Sequence, residues 1–129
     1  MVAPGETDLE LMLATLAVQR RAGVFAYIAV EVPTPGLIAA AHALVKEGRL
    51  TTIVLPVDAA ERAGQATEVQ FAWLTLTVQS SLDAVGLTAA VSARLAAIGV
   101  PCNVLAGYHH DHILVPVDRV DDAIAALTA

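Results

Sequence analysis

The sequence predicts a globular α+β protein in which helices cover one face of a mostly antiparallel sheet. The order of the patterns is the first observation behind this prediction, since the second half runs strand, helix, strand, strand, helix. Composition is the second: 57% of the residues are hydrophobic and only 16% are charged, which is typical of a chain that collapses and packs. A length of 129 residues fits one domain, or two very small ones that share a core.

The first elements are one undecided segment, a strand and a helix. Residues 9–18 are apolar with polar interruptions and fit either a strand or a short helix. A β-branched and aromatic run at 24–32, closed by Pro33, predicts a strand. The apolar spacing in 37–46 predicts an amphipathic helix, which Gly48 would end.

A second strand and a short helix complete the first half. Residues 50–55 read as a strand because they are largely β-branched or aliphatic and Pro56 stops them. Asp58 is predicted to cap a short helix that runs through Ala63 and that Gly64 terminates.

The second half opens with a clear strand and helix. Residues 71–78 alternate, so that one face of the predicted strand is purely aliphatic and should be buried. A polar loop follows, and its marker residues are Ser80, Ser81 and Asp83. Apolar residues at helical spacing over 86–98 then predict a helix that Gly99 ends.

The last part of the chain reads as a hairpin and a helix. Residues 102–105 and 112–115 predict two strands, joined by a turn at 107–111. Asp118 is predicted to cap the final helix, which runs to Leu127.

Internal similarity indicates a duplication. Segments 15–19 and 54–58 each reappear in similar form 60 residues later. A competing match pairs 25–27 with 71–73 at a shorter spacing, and only one of the two alignments can reflect descent. We favour the spacing of 60, because it places a strand, a Pro-X-Asp step and a helix identically in each half.

Two sequence patterns lead us to expect a cytoplasmic protein. No window approaches the roughly 18 to 20 uninterrupted apolar residues that a membrane-spanning helix needs. A secretory signal begins with positive charge, whereas this chain carries Glu6, Asp8 and Glu10 before its first cation, Arg20.

Charge and residue types also exclude several functions. A net charge of -6 argues against nucleic acid, which requires a basic surface. Cys102 is the single cysteine, so an intramolecular disulfide and a cysteine-based zinc site are excluded. No nucleophile elbow and no pairing of a nucleophile with a base is visible, so no catalytic residue is predicted.

The second half contains motifs of a known family. Residues 83–87 read Asp-Ala-Val-Gly-Leu, and 107–115 read Gly-Tyr-His-His-Asp-His-Ile-Leu-Val. The chain resembles the ACT domain, and more narrowly the small bacterial tandem ACT-domain proteins of unassigned function, a group similar to the ACT halves of an animal arginine sensor. The resemblance implies ferredoxin-like βαββαβ units in tandem, with a divergent N-terminal half at 1–66 and a C-terminal half at 67–129.

The same resemblance implies a regulatory protein that binds a small amino acid or related metabolite, is not an enzyme and has no cofactor. Ligand contacts are implied from the loop at 80–87 and the turn at 107–111. The candidate ligand-binding residues are Ser80, Ser81, Asp83, Ala84, Val85, Gly86, Leu87, Gly107, Tyr108, His110 and Asp111.

Simple electrostatics fits that site. The N–H groups of a helix start can hold the carboxylate of an amino acid, and Gly86 lets a ligand approach the backbone closely. Asp111 can face the ammonium group. The first half has no equivalent Asp-X-X-Gly-Leu loop after Val18, which puts a second site there in doubt.

The sequence also predicts partners and leaves two alternative functions open. We expect a homodimer, because so apolar a chain is expected to bury surface against a copy of itself, and a regulated protein partner is implied. One alternative is a metal-dependent enzyme centred on 109–112, although a strand directs only two of these side chains to each face, so a third ligand would have to come from His42, Asp83 or a partner chain. Another alternative is a dimerisation module without ligand.

Overall fold

The computed structural model describes residues 13–77 and 86–128. It confirms the α+β class, with antiparallel strand pairs and helices between them. The elements in chain order are β1 (Ala17–Arg20), β2 (Phe25–Val30), α1 (Pro35–Ala40), β3 (Ala43–Glu47), β4 (Leu50–Pro56), α2 (Val57–Arg62), β5 (Phe71–Thr77), α3 (Leu87–Ala97), β6 (Asn103–Ala106), β7 (Asp111–Pro116), a short 3-10 helix (Val117–Arg119) and α4 (Val120–Thr128).

The chain divides into two compact units. One consists of residues 22–72, and the other combines the described residues before 22 with those after 72. Each unit contains the series strand, helix, strand, strand, helix. The duplication into halves at 1–66 and 67–129 stays a prediction.

In the unit 22–72, the strand order is β3, β4, β2. Both pairings are antiparallel, with Tyr27 opposite Val54 and Val45 opposite Thr52. A two-residue turn joins β3 to β4 and starts with Gly48 at a φ of 61°, a backbone conformation that favours glycine. The core of this unit consists of Ala26, Ile28, Ile53, Leu55 and Ala60, with α1 and α2 packed against it.

The helix predicted over 37–46 is wrong in its second half. The observed helix α1 is only six residues long, and Ala43–Glu47 forms β3. The His42 N–H donates to the Val54 carbonyl at 2.8 Å, which starts the hairpin where the helix was expected to continue. Pairing with β4 therefore overrides the helical spacing of the apolar residues.

The other unit has the strand order β1, β5, β7, β6. Val18 lies opposite Leu76 in the β1–β5 pair, and Leu105 lies opposite His112 in the β6–β7 pair. The fully or nearly buried apolar side chains of the unit include Leu16, Leu74, Leu76, Leu87, Val91, Leu95, Val100, Ile113, Leu114, Val115, Val120, Ala123 and Leu127. Every third or fourth residue of α3 and α4 contributes to this set, as expected for helices that cover one face of a sheet.

Both predicted aspartate caps are wrong in detail. Asp58 lies inside the first turn of α2 and accepts a hydrogen bond from the Ala59 N–H, while Pro56 occupies the cap position. Asp118 lies in the 3-10 helix before α4. Two of the three glycine stops are confirmed, since Gly64 and Gly99 follow their helices with φ values of 74° and 72°. The third is wrong, because Gly48 lies in the turn between β3 and β4 and ends no helix.

Candidate functional site

The first part of the predicted site is the start of α3. Gly86 occupies the N-cap position in the left-handed conformation, with a φ of 92°. Its carbonyl accepts from the Ala90 N–H at 2.9 Å, which closes the first helical turn. The N–H groups of the first helical turn have no carbonyl partner within the helix, so they can donate hydrogen bonds to an anion. Leu87 is buried and contributes its side chain to the core.

Five of the candidate residues lie outside the described part of the chain. These are Ser80, Ser81, Asp83, Ala84 and Val85.

The second part of the predicted site is the turn between β6 and β7, which we call the 107–110 turn. The Gly107 N–H donates to the His110 carbonyl at 2.9 Å and closes the turn. A Cβ atom on Gly107 would lie 2.8 Å from that carbonyl oxygen and 2.9 Å from Nε2 of His112, so a side chain does not fit there. Glycine is therefore required by a close approach of backbone and ring.

The remaining candidates lie on the surface at this turn. Tyr108 is 97% exposed and stacks edge-on against the ring of His109, with 4.8 Å between the ring centres. His110 is exposed, and Asp111 is half-buried as the first residue of β7. Because side chains alternate along a strand, Asp111 points to the opposite face from His112.

His112 also lies in this region. From the sequence alone, His112 is identifiable only as a candidate metal ligand or as a strand residue of the hairpin. Its Nδ1 atom accepts a hydrogen bond from Nε1 of Trp73 at 3.1 Å and lies 2.9 Å from the Thr75 hydroxyl. Since Thr75 is near the end of β5 and His112 near the start of β7, the contact places these two strand ends close together.

The surroundings of His112 disfavour its charged form. Burial lowers its pKa first of all, the charges of Arg21 and His110 lower it further, and Asp111 opposes them. The pKa of His112 therefore lies below the usual value near 6.5, and the ring is neutral at neutral pH.

Arg21 completes this cluster. Its guanidinium lies over the ring of Trp73, 4.1 Å from the ring centre, and its backbone N–H donates to the Trp73 carbonyl at 2.8 Å. The alternation of 71–78 predicts that Trp73 and Thr75 share one face of the strand. That mixed aromatic and polar face is the signal that could have found the cluster.

The structure gives no support to a metal centre among the described residues. None of their His, Cys, Asp and Glu side chains form a group of three or more that could hold a metal ion. His42 instead packs edge-on against Phe25 in the unit 22–72, with 4.9 Å between ring centres. Cys102 is half-buried, and burial raises the pKa of its thiol.

A shallow groove lies on the unit that also contains α3 and the 107–110 turn. It has a volume of 460 Å³ and is lined by Ile98, Arg119, Asp122, Ala125 and Ala126. Arg119 donates to the Ile98 carbonyl and to Asp122, each at 2.9 Å. The candidate ligand-binding residues that the structure describes, from Gly86 and Leu87 to the 107–111 segment, do not line this groove.

Comparison with known proteins identifies the class. Residues 68–129, just under half of the chain, match the ACT domain, and this segment belongs to the ACT-domain family. No curated protein sequence matches it. Within the described residues, no helix has the length and apolar character needed to cross a membrane.

Solved structures support the same fold over nearly the whole chain. A Vibrio cholerae protein of unknown function, described as a possible transport protein, is 36% identical over 94% of each chain, with a TM-score of 0.85. An Agrobacterium tumefaciens protein is 15% identical over 87% of this chain and 86% of its own, with a TM-score of 0.65. The aspartate kinase of Clostridium acetobutylicum is 9% identical over 88% of this chain and 33% of the kinase, with a TM-score of 0.63. The last two likenesses concern the fold alone.

Proposed function

We propose that this protein is a non-catalytic regulatory protein that binds a small amino acid or related metabolite at the start of α3 and the 107–110 turn. The observation that carries the proposal is the glycine-led start of α3 within a matched ACT domain. ACT domains generally bind amino acids. An amino acid carries a carboxylate and an ammonium group; the helix N–H groups suit the first, and the carboxylate of Asp111 suits the second.

The geometry on both sides of the site suits a zwitterion. Gly86 has no Cβ to hinder approach, and the N–H groups that follow it carry the positive end of the α3 dipole. Asp111 shares its face of the sheet with the aliphatic side chains of β5, because His112 lies on the face of Trp73 and Thr75. The ligand carboxylate is proposed to meet the helix and its ammonium to meet Asp111.

A thermal-shift screen with the twenty amino acids tests the proposal. Binding to the native state alone raises the melting temperature with ligand concentration. We expect at least one amino acid to raise it, and Asp111→Asn to weaken that amino acid about tenfold or more, because a charged hydrogen bond is lost. Asp118→Asn is the matched control, since Asp118 is exposed and lies outside the site.

Two results would remove the proposal. One is a screen in which none of the twenty amino acids moves the melting temperature. The other is equal weakening by Asp111→Asn and Asp118→Asn, which would reduce the effect to a general change in net charge.

We further propose one ligand site per chain. In the unit 22–72 the corresponding helix α1 is six residues long, begins with Pro35, and already has the Leu37 N–H bonded to the Thr34 hydroxyl at 3.2 Å. Proline offers no N–H group, and the side-chain cap satisfies one of the others. Little is left there to hold a carboxylate.

A homodimer and a regulated protein partner are also proposed. ACT domains often dimerise, and several large hydrophobic side chains are exposed in the single chain, among them Val32, Ile38, Val45 and Val69. Size-exclusion chromatography with light scattering should give the mass of a dimer at micromolar concentration. A monomer under those conditions would contradict the proposed dimer and leave the ligand site to its own test.

A further inference from the structure

The ring of His112 has close neighbours at both of its nitrogen atoms. On the Nδ1 side it meets the Trp73 indole N–H at 3.1 Å and the Thr75 hydroxyl at 2.9 Å. On the other side, Nε2 lies so close to Gly107 that even a methyl group would come within 2.9 Å of it. The ring thus lies between the face of β5 that holds Trp73 and Thr75 and the 107–110 turn.

The partner at Nδ1 determines the tautomer. An indole Nε1 can only donate a hydrogen bond, so Nδ1 of His112 must present a lone pair to it. The neutral ring then carries its proton on Nε2, on the side of Gly107. A second proton on Nδ1 would set two N–H groups against each other across the same 3.1 Å.

The 107–110 turn packs closely against the ring of His112, so a movement of the ring affects the turn. Its closing hydrogen bond, from the Gly107 N–H to the His110 carbonyl, spans 2.9 Å, and the missing Cβ of Gly107 is the space that the ring edge uses. A shift or flip of the His112 ring changes the surface against which Gly107 packs. Tyr108, His109 and His110 are exposed and do not replace that surface.

We propose that His112 is a positioning residue for the 107–110 turn: its neutral ring, bonded to Trp73 and Thr75, fixes the turn, and protonation of the ring releases it. The protein therefore contains a pH-sensitive connection between the tryptophan on β5 and the turn before β7.

The charged groups around the ring set the direction of this response. Arg21, which lies over Trp73 beyond the end of β1, disfavours a second positive charge, as does His110 in the turn. Asp111 on β7 favours it. Trp73 and Thr75 on β5, and Leu105 opposite His112 on β6, carry no charge. Together with burial, the net effect keeps the ring neutral until the solution becomes acidic.

The inference deepens the proposed function, and its binding consequence rests on it. Since the proposed ammonium contact is Asp111, directly before His112, release of the turn should weaken binding on acidification. The structural part is tested without any amino acid present, so that its failure and the failure of the proposed function are distinguishable.

The test uses the full chain and two observables. Trp73 is the single tryptophan, so its fluorescence and its indole N–H resonance report on the contact with His112 directly. Hydrogen–deuterium exchange of the Gly107 amide reports on the turn. Both are followed from about pH 7.5 to about pH 5, across the usual histidine pKa near 6.5.

The expected result is a coupled change in the wild-type protein. The indole signal should titrate, and exchange at Gly107, corrected for the intrinsic effect of pH, should rise about fivefold or more on acidification. His112→Asn, which can accept from Trp73 but does not titrate, should abolish the pH dependence of both. His109→Asn, an exposed histidine of the same turn, should leave both unchanged.

Three outcomes would overturn the proposal. One is corrected exchange at Gly107 that does not change with pH in the wild-type protein, a result that needs no variant. The second is a titration of the indole signal that persists in His112→Asn. The third is a Gly107→Ala protein in which the Trp73 signal and the turn are unaltered, since the added methyl should displace the ring at neutral pH.

Discussion

At the scale of single residues, two glycines define the ends of α3 through the same backbone conformation. Gly86 starts the helix at a φ of 92°, and Gly99 follows it at a φ of 72°. A residue with a Cβ is strained at positive φ, by about 1–2 kcal/mol. No heavy atom lies within 4 Å of the position of a Cβ on Gly99, so the cost there comes from the backbone alone.

The two glycines form a matched pair for separating stability from binding. Gly86→Ala and Gly99→Ala should each lower the unfolding free energy by about 1 kcal/mol, measured by urea denaturation. Only Gly86→Ala should weaken binding of the amino acid found by the thermal-shift screen, because Gly86 lies at the proposed carboxylate site and Gly99 lies at the other end of α3. Equal weakening by Gly99→Ala would mean that lost helix stability, and not the site, explains the effect.

Residue patterns reached part of the candidate site and missed the rest for a physical reason. Gly86, Gly107 and Asp111 became candidates through the family resemblance, whose motifs lie at a helix start and a turn and are therefore local features of the sequence. The bond between Trp73 and His112 joins residues 39 positions apart. Alternation tells which residues share a face of their own strand, but not which strand becomes the neighbour.

At the scale of elements, the segment after β2 shows how local spacing misleads. Leu37, Ala40 and Ala41 pack against the core as a helix face would, but α1 ends there and the chain turns into β3. Leu44 and Val45, which the helical spacing places in the core, are 39% and 46% exposed. The most informative local signal was Gly48, because a glycine first in a two-residue turn is typical of a hairpin.

The lengths of the elements in the two series account for the two competing internal alignments. β2 and β5 are the first strands of their series, whereas the hairpins β3–β4 and β6–β7 are the later parts. The helix between them has six residues in one series and eleven in the other. A shorter spacing therefore aligns the first strands, and a spacing of 60 aligns the hairpins and also the start of β1 with the end of β5. A fixed spacing cannot follow both the longer helix and the longer connections on either side of it.

Helix α1 offers an element-scale prediction about its cap. Thr34→Ala removes the hydroxyl that accepts from the Leu37 N–H and should lower the unfolding free energy by about 1 kcal/mol. Thr34→Ser keeps the hydroxyl and should be nearly neutral. Calorimetric titration with the selected amino acid should give one site per chain for all three proteins, and a second site that disappears in Thr34→Ala would refute the single-site proposal.

At the scale of the whole molecule, apolar packing and not charge pairing holds the described part together. The ion pairs found there, Asp58 with Arg62 and Arg119 with Asp122, are neighbours on exposed helical turns. Pairs of this kind contribute little and are screened by salt. The pH dependence of stability should therefore reflect individual groups whose pKa differs between the folded and unfolded chain.

His112 is one such group, and its direction of effect follows from its lowered pKa. Below about pH 6.5 the unfolded chain binds the proton more readily than the folded one, so the free energy of unfolding decreases as the pH falls. This contribution is fully present above the unfolded-state pKa and is lost progressively down to the lower folded-state pKa. Urea denaturation from about pH 7.5 to about pH 5 should show a steeper fall in unfolding free energy for wild type than for His112→Asn. His109→Asn should follow the wild-type curve, and parallel curves for wild type and His112→Asn would show that the ring is not preferentially neutral in the fold.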